Sequence, residues 1–221
     1  MNTVSNTFPS VNIGMVLSLS KIKNTVTLFD HALGKMCART NTYHVDIPFL
    51  NGSLISYTLE ERFMPSGSKI YTCEILDVYH TIPTSPYSLF LFYSIVLQHV
   101  LHMAPWNVAN NQLWIFLTDL YQTETVDVLK QNDIFIQKIL ICKLFLLLGY
   151  TPEAPFSAPD LTGLISEPLS RMVNSISAIT QNKERLIEII DAWIISCNLN
   201  WTELIHCPTM KTSVDLFMRQ K

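Results

Sequence analysis

Lys143 to Glu153 reads KLFLLLGYTPE and closes the longest apolar helical run of the chain, which begins at Ile134. Apolar side chains in this run fall on nearly every face of a helix, a pattern typical of a helix buried on all sides. Gly149 can adopt the left-handed conformation that ends a helix, and Pro152 cannot continue one. The stretch therefore predicts a helix at the centre of its domain that ends near Gly149. Its polar side is formed by Gln137, Lys138 and Lys143.

Helical patterns extend outward from this stretch in both directions. Upstream they begin after the proline-containing linker of residues 81–86, and downstream they resume after a loop-rich connection that ends near Pro168. Residues 83–221 are therefore predicted to form an all-helical domain. Its predicted helices cover Leu89–His102, Gln112–Thr123, Val126–Gly149 as one or two helices, Leu169–Thr180, Glu184–Cys197 and Trp201–Cys207.

The residues before position 82 follow a different pattern, in which short β-like runs are separated by turn residues. From Leu54 to Arg62, apolar and polar residues alternate as they do in a half-buried antiparallel sheet. Five such strands fit a small barrel of the OB type, and a sandwich fragment is the alternative. The predicted fold is α+β, with a five-stranded OB-like barrel over residues 1–82 followed by the helical domain over 83–221. The predicted strands are Val11–Ser20, Thr25–Asp30, Lys35–Thr40, Leu54–Arg62 and Lys69–His80.

The composition fits a chain with a large core. The 221 residues are 48% hydrophobic and 15% charged, with a net charge of −3, which is enough material for one large or two small domains. Gln98 and His99 interrupt the apolar run from Leu89 before it reaches membrane-spanning length, and the first ten residues lack the pattern of a secretory signal. We therefore expect no membrane span and a cytoplasmic location, which also suits five scattered cysteines.

Motifs of catalysis and of metal binding are absent from the sequence. It contains no GxSxG, no HExxH and no phosphate-binding glycine loop. Glu60 and Glu61 are adjacent on a predicted strand and point to opposite faces, while Asp30, next to His31, fits a turn-capping carboxylate better than a catalytic dyad. No cysteine pair has CxxC spacing, and buried thiols explain the cysteines better than metal ligands do. We expect a protein that is not an enzyme and has no cofactor or metal.

The opening stretch also resembles a family signature. KLFLLLGYTPE is similar to the KLL-LLGY-PEL segment of the bacterial recombination mediator RecO. Residues 154–161, APFSAPDL, stand where many RecO proteins carry four zinc-binding cysteines, so the zinc module of that family is absent here. Weaker similarities occur in the family's order in Gly14–Ser20, Asn24–Asp30, Leu33–Met36, Pro48–Tyr57 and Ile70–Asp77.

The resemblance implies a function in recombinational DNA repair. Proteins of the RecO family begin with an OB fold, bind single-stranded DNA, anneal complementary strands and help RecR to load recombinase in the RecF pathway. Their helical domain docks the acidic C-terminal tail of the single-strand DNA-binding protein. An alternative of another class is an interaction scaffold that retains the RecO fold without DNA binding.

Candidate binding residues follow from these expectations. A cationic groove on the barrel is expected for single-stranded DNA, but six acidic residues within residues 1–80 balance the six cations. Solvated hairpin lysines without function are therefore an equal alternative. The candidate DNA-binding residues are Lys21, Lys23, Lys35, Arg39, Arg62 and Lys69. The candidate contacts for the tail of the single-strand DNA-binding protein are Lys130, Lys138 and Lys143.

Overall fold

A computed structural model describes residues 10–40, 50–130, 134–150, 167–169, 171, 183–205 and 218. The chain folds into two compact units. The first comprises Met1–Ile82 together with the short segment Ala104–Asn110, and the second comprises Pro83–Met103 and Asn111–Lys221. The chain therefore leaves the first unit, forms one helix of the second, and returns to the first before the remaining helices begin.

The first unit contains a closed five-stranded barrel, which confirms the predicted α+β fold with an OB-like barrel. Around the barrel the strands follow the order β1-β2-β3-β5-β4. Observed strand ends lie within one residue of the predicted ones, because alternation along a strand is a local signal. The strands are β1 (Val11–Ser20), β2 (Thr25–Asp30), β3 (Gly34–Thr40), β4 (Leu54–Phe63) and β5 (Lys69–His80).

The barrel closes between β3 and β5, the one parallel pair in it. This pair is short, since only Ala38–Thr40 align with Tyr71–Cys73, whereas β4 and β5 pair antiparallel along most of their length. Apolar side chains on the inner faces of all five strands fill the interior. The buried cluster comprises Val16, Val26, Leu28, Met36, Ala38, Ile55, Tyr57, Cys73 and Ile75.

Asp30 caps the turn between β2 and β3, as the sequence predicts. Its Oδ1 accepts hydrogen bonds from the backbone N–H groups of Ala32, at 2.7 Å, and Leu33, at 2.9 Å. The buried Tyr57 hydroxyl donates to Oδ2 at 2.8 Å, so this carboxylate joins the turn to the barrel interior. Gly14 makes room for the tyrosine, because a Cβ there would lie 2.9 Å from the ring carbon Cε1.

The second unit is helical throughout its described elements. Residues 183–205 form one helix, so the prediction of separate helices over Glu184–Cys197 and Trp201–Cys207 is wrong. No proline or glycine interrupts the sequence between them, and asparagine weakens a helix without breaking it. Most of the predicted helix Leu169–Thr180 lies outside the described residues. The helices are α1 (Tyr87–Met103), α2 (Asn111–Asp119), α3 (Thr123–Lys130), α4 (Ile134–Leu147) and α5 (Lys183–Ile205).

Helix α4 is central to its unit, as the opening stretch predicts, but two of the three side chains of its polar side do not face solvent. Gln137 and Lys138 are both buried, and Lys138 is only 4% exposed. The Lys138 Nζ lies 2.7 Å from Asp191 Oδ1 and 3.0 Å from Oδ2, which pairs α4 with α5. Among the described residues, no helix is both long and apolar enough to cross a bilayer.

Candidate functional site

The outer surface of β2 and β3 carries small polar side chains and a guanidinium group. Thr25 is paired with Arg39 and Thr27 with Cys37, so the four side chains form two adjacent rows on one face of the sheet. Cys37 and Arg39 are exposed, and the two threonines are partly exposed. In OB barrels this face and the loops β1–β2 and β4–β5 bind oligonucleotides, so cations and aromatic rings on both loops are candidate ligand contacts.

The β1–β2 hairpin places two lysines at one end of this face. Lys21 and Lys23 are exposed at the tip, where Asn24 adopts a left-handed conformation with φ of 49°. The carbonyl of Asn24 accepts a hydrogen bond from the backbone N–H of Thr40 at 3.0 Å, which holds the hairpin against the end of β3. Arg39 precedes Thr40, so the two lysines and the guanidinium lie at the same end of the face.

The β4–β5 hairpin carries two cations that are already paired with carboxylates. Arg62 donates to both oxygens of Glu60 at 3.0 Å, and Lys69 Nζ lies 2.6 Å from Glu61 Oε1. Each hydrogen-bonded carboxylate raises the pKa of its partner cation. Among the described residues, Lys21, Lys23 and Arg39 form no such ion pair, so they are the barrel cations best placed to meet an anionic ligand.

The same hairpin exposes an aromatic ring. Phe63, at the end of β4, is 69% exposed, and Lys69 Nζ lies 5.3 Å from its ring centroid. Because β5 runs parallel to β3, this hairpin lies toward the β2–β3 turn, at the opposite end of the face from Lys21 and Lys23. Cations at one end and an aromatic ring at the other flank the outer surface of β2 and β3.

Lys35, the sixth candidate cation, is buried under the segment Ala104–Asn110. It is 3% exposed, and its Nζ lies 4.5 Å from the ring centroid of Trp106. The backbone N–H of Asn107 donates to the carbonyl of Lys35 at 2.8 Å. Burial lowers the pKa of Lys35. We therefore leave Lys35 out of the proposed ligand contacts.

Trp106 is the aromatic residue that sequence reasoning missed. Its place between two predicted helices assigns it to the helical domain, but it belongs to the barrel unit and is 52% exposed there. The local signal is Pro105, which ends helical structure before it. No local pattern could have shown that the following residues lie along β3.

The second unit contains a pocket of about 450 Å³ beside α4. Lys143 lines it and donates to the backbone carbonyl of Glu167. Burial lowers the pKa of Lys143. Burial also raises the pKa of Asp119, and the positive charge of Lys143 partly offsets that rise. The pocket therefore combines one cation and an apolar floor with two acidic residues, Asp119 and Glu167. Its apolar lining is Ile115, Phe116, Leu146, Leu147, Pro168 and Leu169.

The other two candidate partner-binding lysines lie elsewhere. Lys130, at the end of α3, is exposed and lies 3.3 Å from Asp127, one turn earlier. Lys138 is buried and pairs with Asp191, which is partly exposed. Of the three lysines, only Lys143 lines the pocket, so it alone enters the proposed partner site.

Cysteines and potential metal ligands do not form a further site within the described residues. Burial raises the pKa of Cys73 to about 11 and that of Cys197 to about 11, so neither is a reactive thiolate near neutral pH. In the part of the chain that the structure describes, no three His, Cys, Asp or Glu residues come together as metal ligands.

Comparison of the sequence with protein-family models and with curated proteins finds no match.

Proposed function

We propose that this protein binds single-stranded DNA on the outer face of β2 and β3 and acts in recombinational repair as RecO proteins do. In this proposal it works in the cytoplasm without bond chemistry, anneals complementary strands and helps RecR to load recombinase. The observation that carries the proposal is the position of Lys21 and Lys23. Both are exposed on the β1–β2 hairpin of an OB-like barrel, at the Arg39 end of the face that binds oligonucleotides in such barrels.

The ion pairs of the barrel determine how strongly salt should weaken this binding. Each phosphate contact contributes about −0.7 to the slope of log affinity against log salt for single strands. Six cations would give a slope of about −4, but Lys35 is buried and two others already pair with carboxylates. The three remaining cations give about −2, which corresponds to weak binding.

The test is a titration of a labelled oligothymidine over a series of salt concentrations. We expect micromolar affinity at low salt and a slope of about −2. The double reversal Lys21→Glu with Lys23→Glu should lower the affinity at least tenfold and flatten the slope toward about −0.7. Lys130→Glu with Arg171→Glu makes the same charge change on exposed residues of the helical unit and should leave binding unchanged. Equal loss in both variants would refute the proposed face.

We also propose that the pocket beside α4 receives the C-terminal tail of the single-strand DNA-binding protein. Support comes from its chemistry, since an acidic tail that ends in a carboxylate suits a hydrophobic groove with a cation at its edge. Lys143 and the apolar lining supply both. Lys143→Ala should weaken binding of such a tail peptide about tenfold, whereas Lys130→Ala should not. An amidated peptide should bind wild type and Lys143→Ala alike.

The alternative function, an interaction scaffold without DNA binding, is favoured by the paired charges on the β4–β5 hairpin. Arg62 and Lys69 are both held by neighbouring carboxylates, so much of the barrel's positive charge is neutralised internally. The two functions separate in one comparison. A protein that binds the tail peptide but no oligothymidine at low salt is a scaffold, and a protein that binds both is a mediator of the RecO kind.

A further inference from the structure

The segment Ala104–Asn110 occupies an edge of β3 that β5 does not reach. The β3–β5 pairing begins only at Ala38, which leaves the first residues of β3 without a strand on that side. Lys35 instead forms a parallel bridge with Trp106, and its carbonyl accepts the backbone N–H of Asn107 at 2.8 Å. The segment therefore extends the barrel wall next to β3 and carries an indole ring with it.

The ring of Trp106 is held with one face toward the barrel and a large part exposed. The ammonium group of Lys35 lies 4.5 Å from the ring centroid, which is within the range of a cation–π interaction. The residue is nevertheless 52% exposed, so the ring face opposite Lys35 is the one that a ligand can reach. Because the segment is anchored to β3 by backbone bonding and the ring packs on Lys35, little freedom of the segment remains to be lost on binding.

The ring also lies in line with the cations of the proposed DNA face. Side chains of Lys35, Cys37 and Arg39 alternate with the inward residues of β3 and share its outer surface. Lys35 and Arg39 are four residues apart, or about 13 Å along a strand. One strand of B-form DNA rises about 3.4 Å along its axis per nucleotide, so about four stacked nucleotides span this distance.

We propose that Trp106 is a base-stacking platform of this barrel, on which one base of the bound strand lies while phosphates reach Arg39 and the β1–β2 hairpin. The inference depends on the proposed DNA binding and adds to it a residue and a class of contact. Single-strand-binding OB barrels combine a cationic groove with aromatic rings on which bases stack without regard to sequence. The polar surroundings of the ring on β3, with Cys37 and Arg39 exposed, favour a base over an apolar protein segment.

The test combines removal of the ring with removal of the base. Trp106→Ala should lower affinity for oligothymidine about 5- to 150-fold, the range for one stacked base. Trp106→Phe should retain most of the affinity, because it keeps a ring. The salt slope should stay unchanged in both variants, since no phosphate contact is lost. On an oligonucleotide of abasic sites, wild type and Trp106→Ala should bind equally. Tyr79→Ala, which removes an equally exposed ring from β5, serves as the matched control and should leave binding unchanged.

Other outcomes distinguish failure of this inference from failure of the proposed function. If Lys21→Glu with Lys23→Glu abolishes binding while Trp106→Ala has no effect, the platform is wrong and the DNA face stands. If Trp106→Ala loses as much affinity for the abasic strand as for oligothymidine, the ring acts by stabilising the fold and not by contacting a base, and stacking is refuted. If wild type binds no strand at low salt, both fail. Should Trp106→Ala not fold, photocrosslinking of an iodouracil oligonucleotide to wild type decides: an adduct at Trp106 supports stacking, and adducts elsewhere alone refute it.

Discussion

Replacement of Gly34 by alanine should detach the segment Ala104–Asn110 from β3. Gly34 opens β3 with φ of +70°, and a Cβ built on it would overlap the backbone carbonyl of Val108, far inside the 3.0 Å limit of real Cβ contacts. Gly67, in the β4–β5 hairpin, has a similar φ of +81° but no atom within 4 Å of the added carbon. Gly67→Ala is therefore a matched control with the same backbone strain and no clash.

The magnitudes separate the two variants. Left-handed conformation costs an alanine about 1–2 kcal/mol, and both variants bear this cost. Gly34→Ala must also displace the segment, which loses the Asn107–Lys35 hydrogen bond, about 1 kcal/mol, and the contact of Lys35 with the Trp106 ring, about 0.5–2 kcal/mol. We expect a loss of unfolding free energy of about 2.5–5 kcal/mol for Gly34→Ala and about 1–2 kcal/mol for Gly67→Ala.

Two measurements check this reasoning. Urea unfolding followed by far-ultraviolet circular dichroism gives the stability difference. Acrylamide quenching, compared between the two variants against the shared background of the three other indoles, reports on Trp106, whose indole is the only one in the first unit. Gly34→Ala should make an indole more accessible to quencher and should weaken oligothymidine binding as much as Trp106→Ala does, whereas Gly67→Ala should do neither. Equal destabilisation of the two variants, or unchanged quenching in Gly34→Ala, would refute the role assigned to the segment.

Three further predictions follow from the ion pairs and the buried phenol. Glu60→Gln with Glu61→Gln should release the two cations of the β4–β5 hairpin and steepen the salt slope of DNA binding from about −2 to about −3.5; an unchanged slope in the same titration would place that hairpin outside the site. The pKa of Tyr57 is raised well above its ordinary value, mainly by burial and secondly by the negative charge of Asp30. The folded state therefore keeps a proton that the unfolded state releases above about pH 10, and stability should fall as pH rises beyond that value. Tyr57→Phe should be about 1 kcal/mol less stable than wild type at pH 7. Between pH 9 and 11 its urea midpoint should fall less than that of wild type. An equal fall of the two midpoints would contradict the role of the buried phenol. Asp191→Asn should destabilise the helical unit by about 3–5 kcal/mol because it leaves the buried ammonium of Lys138 unpaired. Lys138→Met should cost less, since the carboxylate that remains is partly exposed; equal losses in thermal unfolding would contradict this asymmetry.

Strand positions were predictable because they depend on local alternation. β1, β2 and β5 begin and end at the predicted residues, and β3 and β4 each gain one residue. The turn-capping role of Asp30 was equally local, since the carboxylate bonds to backbone groups two and three residues away. The division of α2 from α3 was harder to predict, because the turn after Asp119 contains neither proline nor glycine. Helix ends of this kind depend on packing rather than on sequence signals.

The charges of the barrel were only partly predictable. Glu60 and Arg62 are two residues apart on one strand, so they share a face and could have been expected to pair. Glu61 and Lys69 are diagonal neighbours across the β4–β5 hairpin, since Glu61 is opposite Tyr71 and Lys69 is opposite Phe63, and this register is less evident from sequence. A count of six cations therefore overstated the positive charge that the groove offers to a ligand, because a cation is available only where no carboxylate on the same face pairs with it.

The burial of Lys35 could not be predicted, since its cover comes from about 70 residues further along the chain. The physical reason for that cover lies in β3 itself. A parallel partner only three residues long leaves backbone groups at the start of β3 to be satisfied by some other part of the chain, and the carbonyl of Lys35 finds Asn107. The segment that satisfies the strand edge is also the one that presents the indole of Trp106. The same backbone contact therefore completes the barrel wall and positions the ring. Any substitution that loosens this edge should weaken both the fold and the proposed stacking of a base.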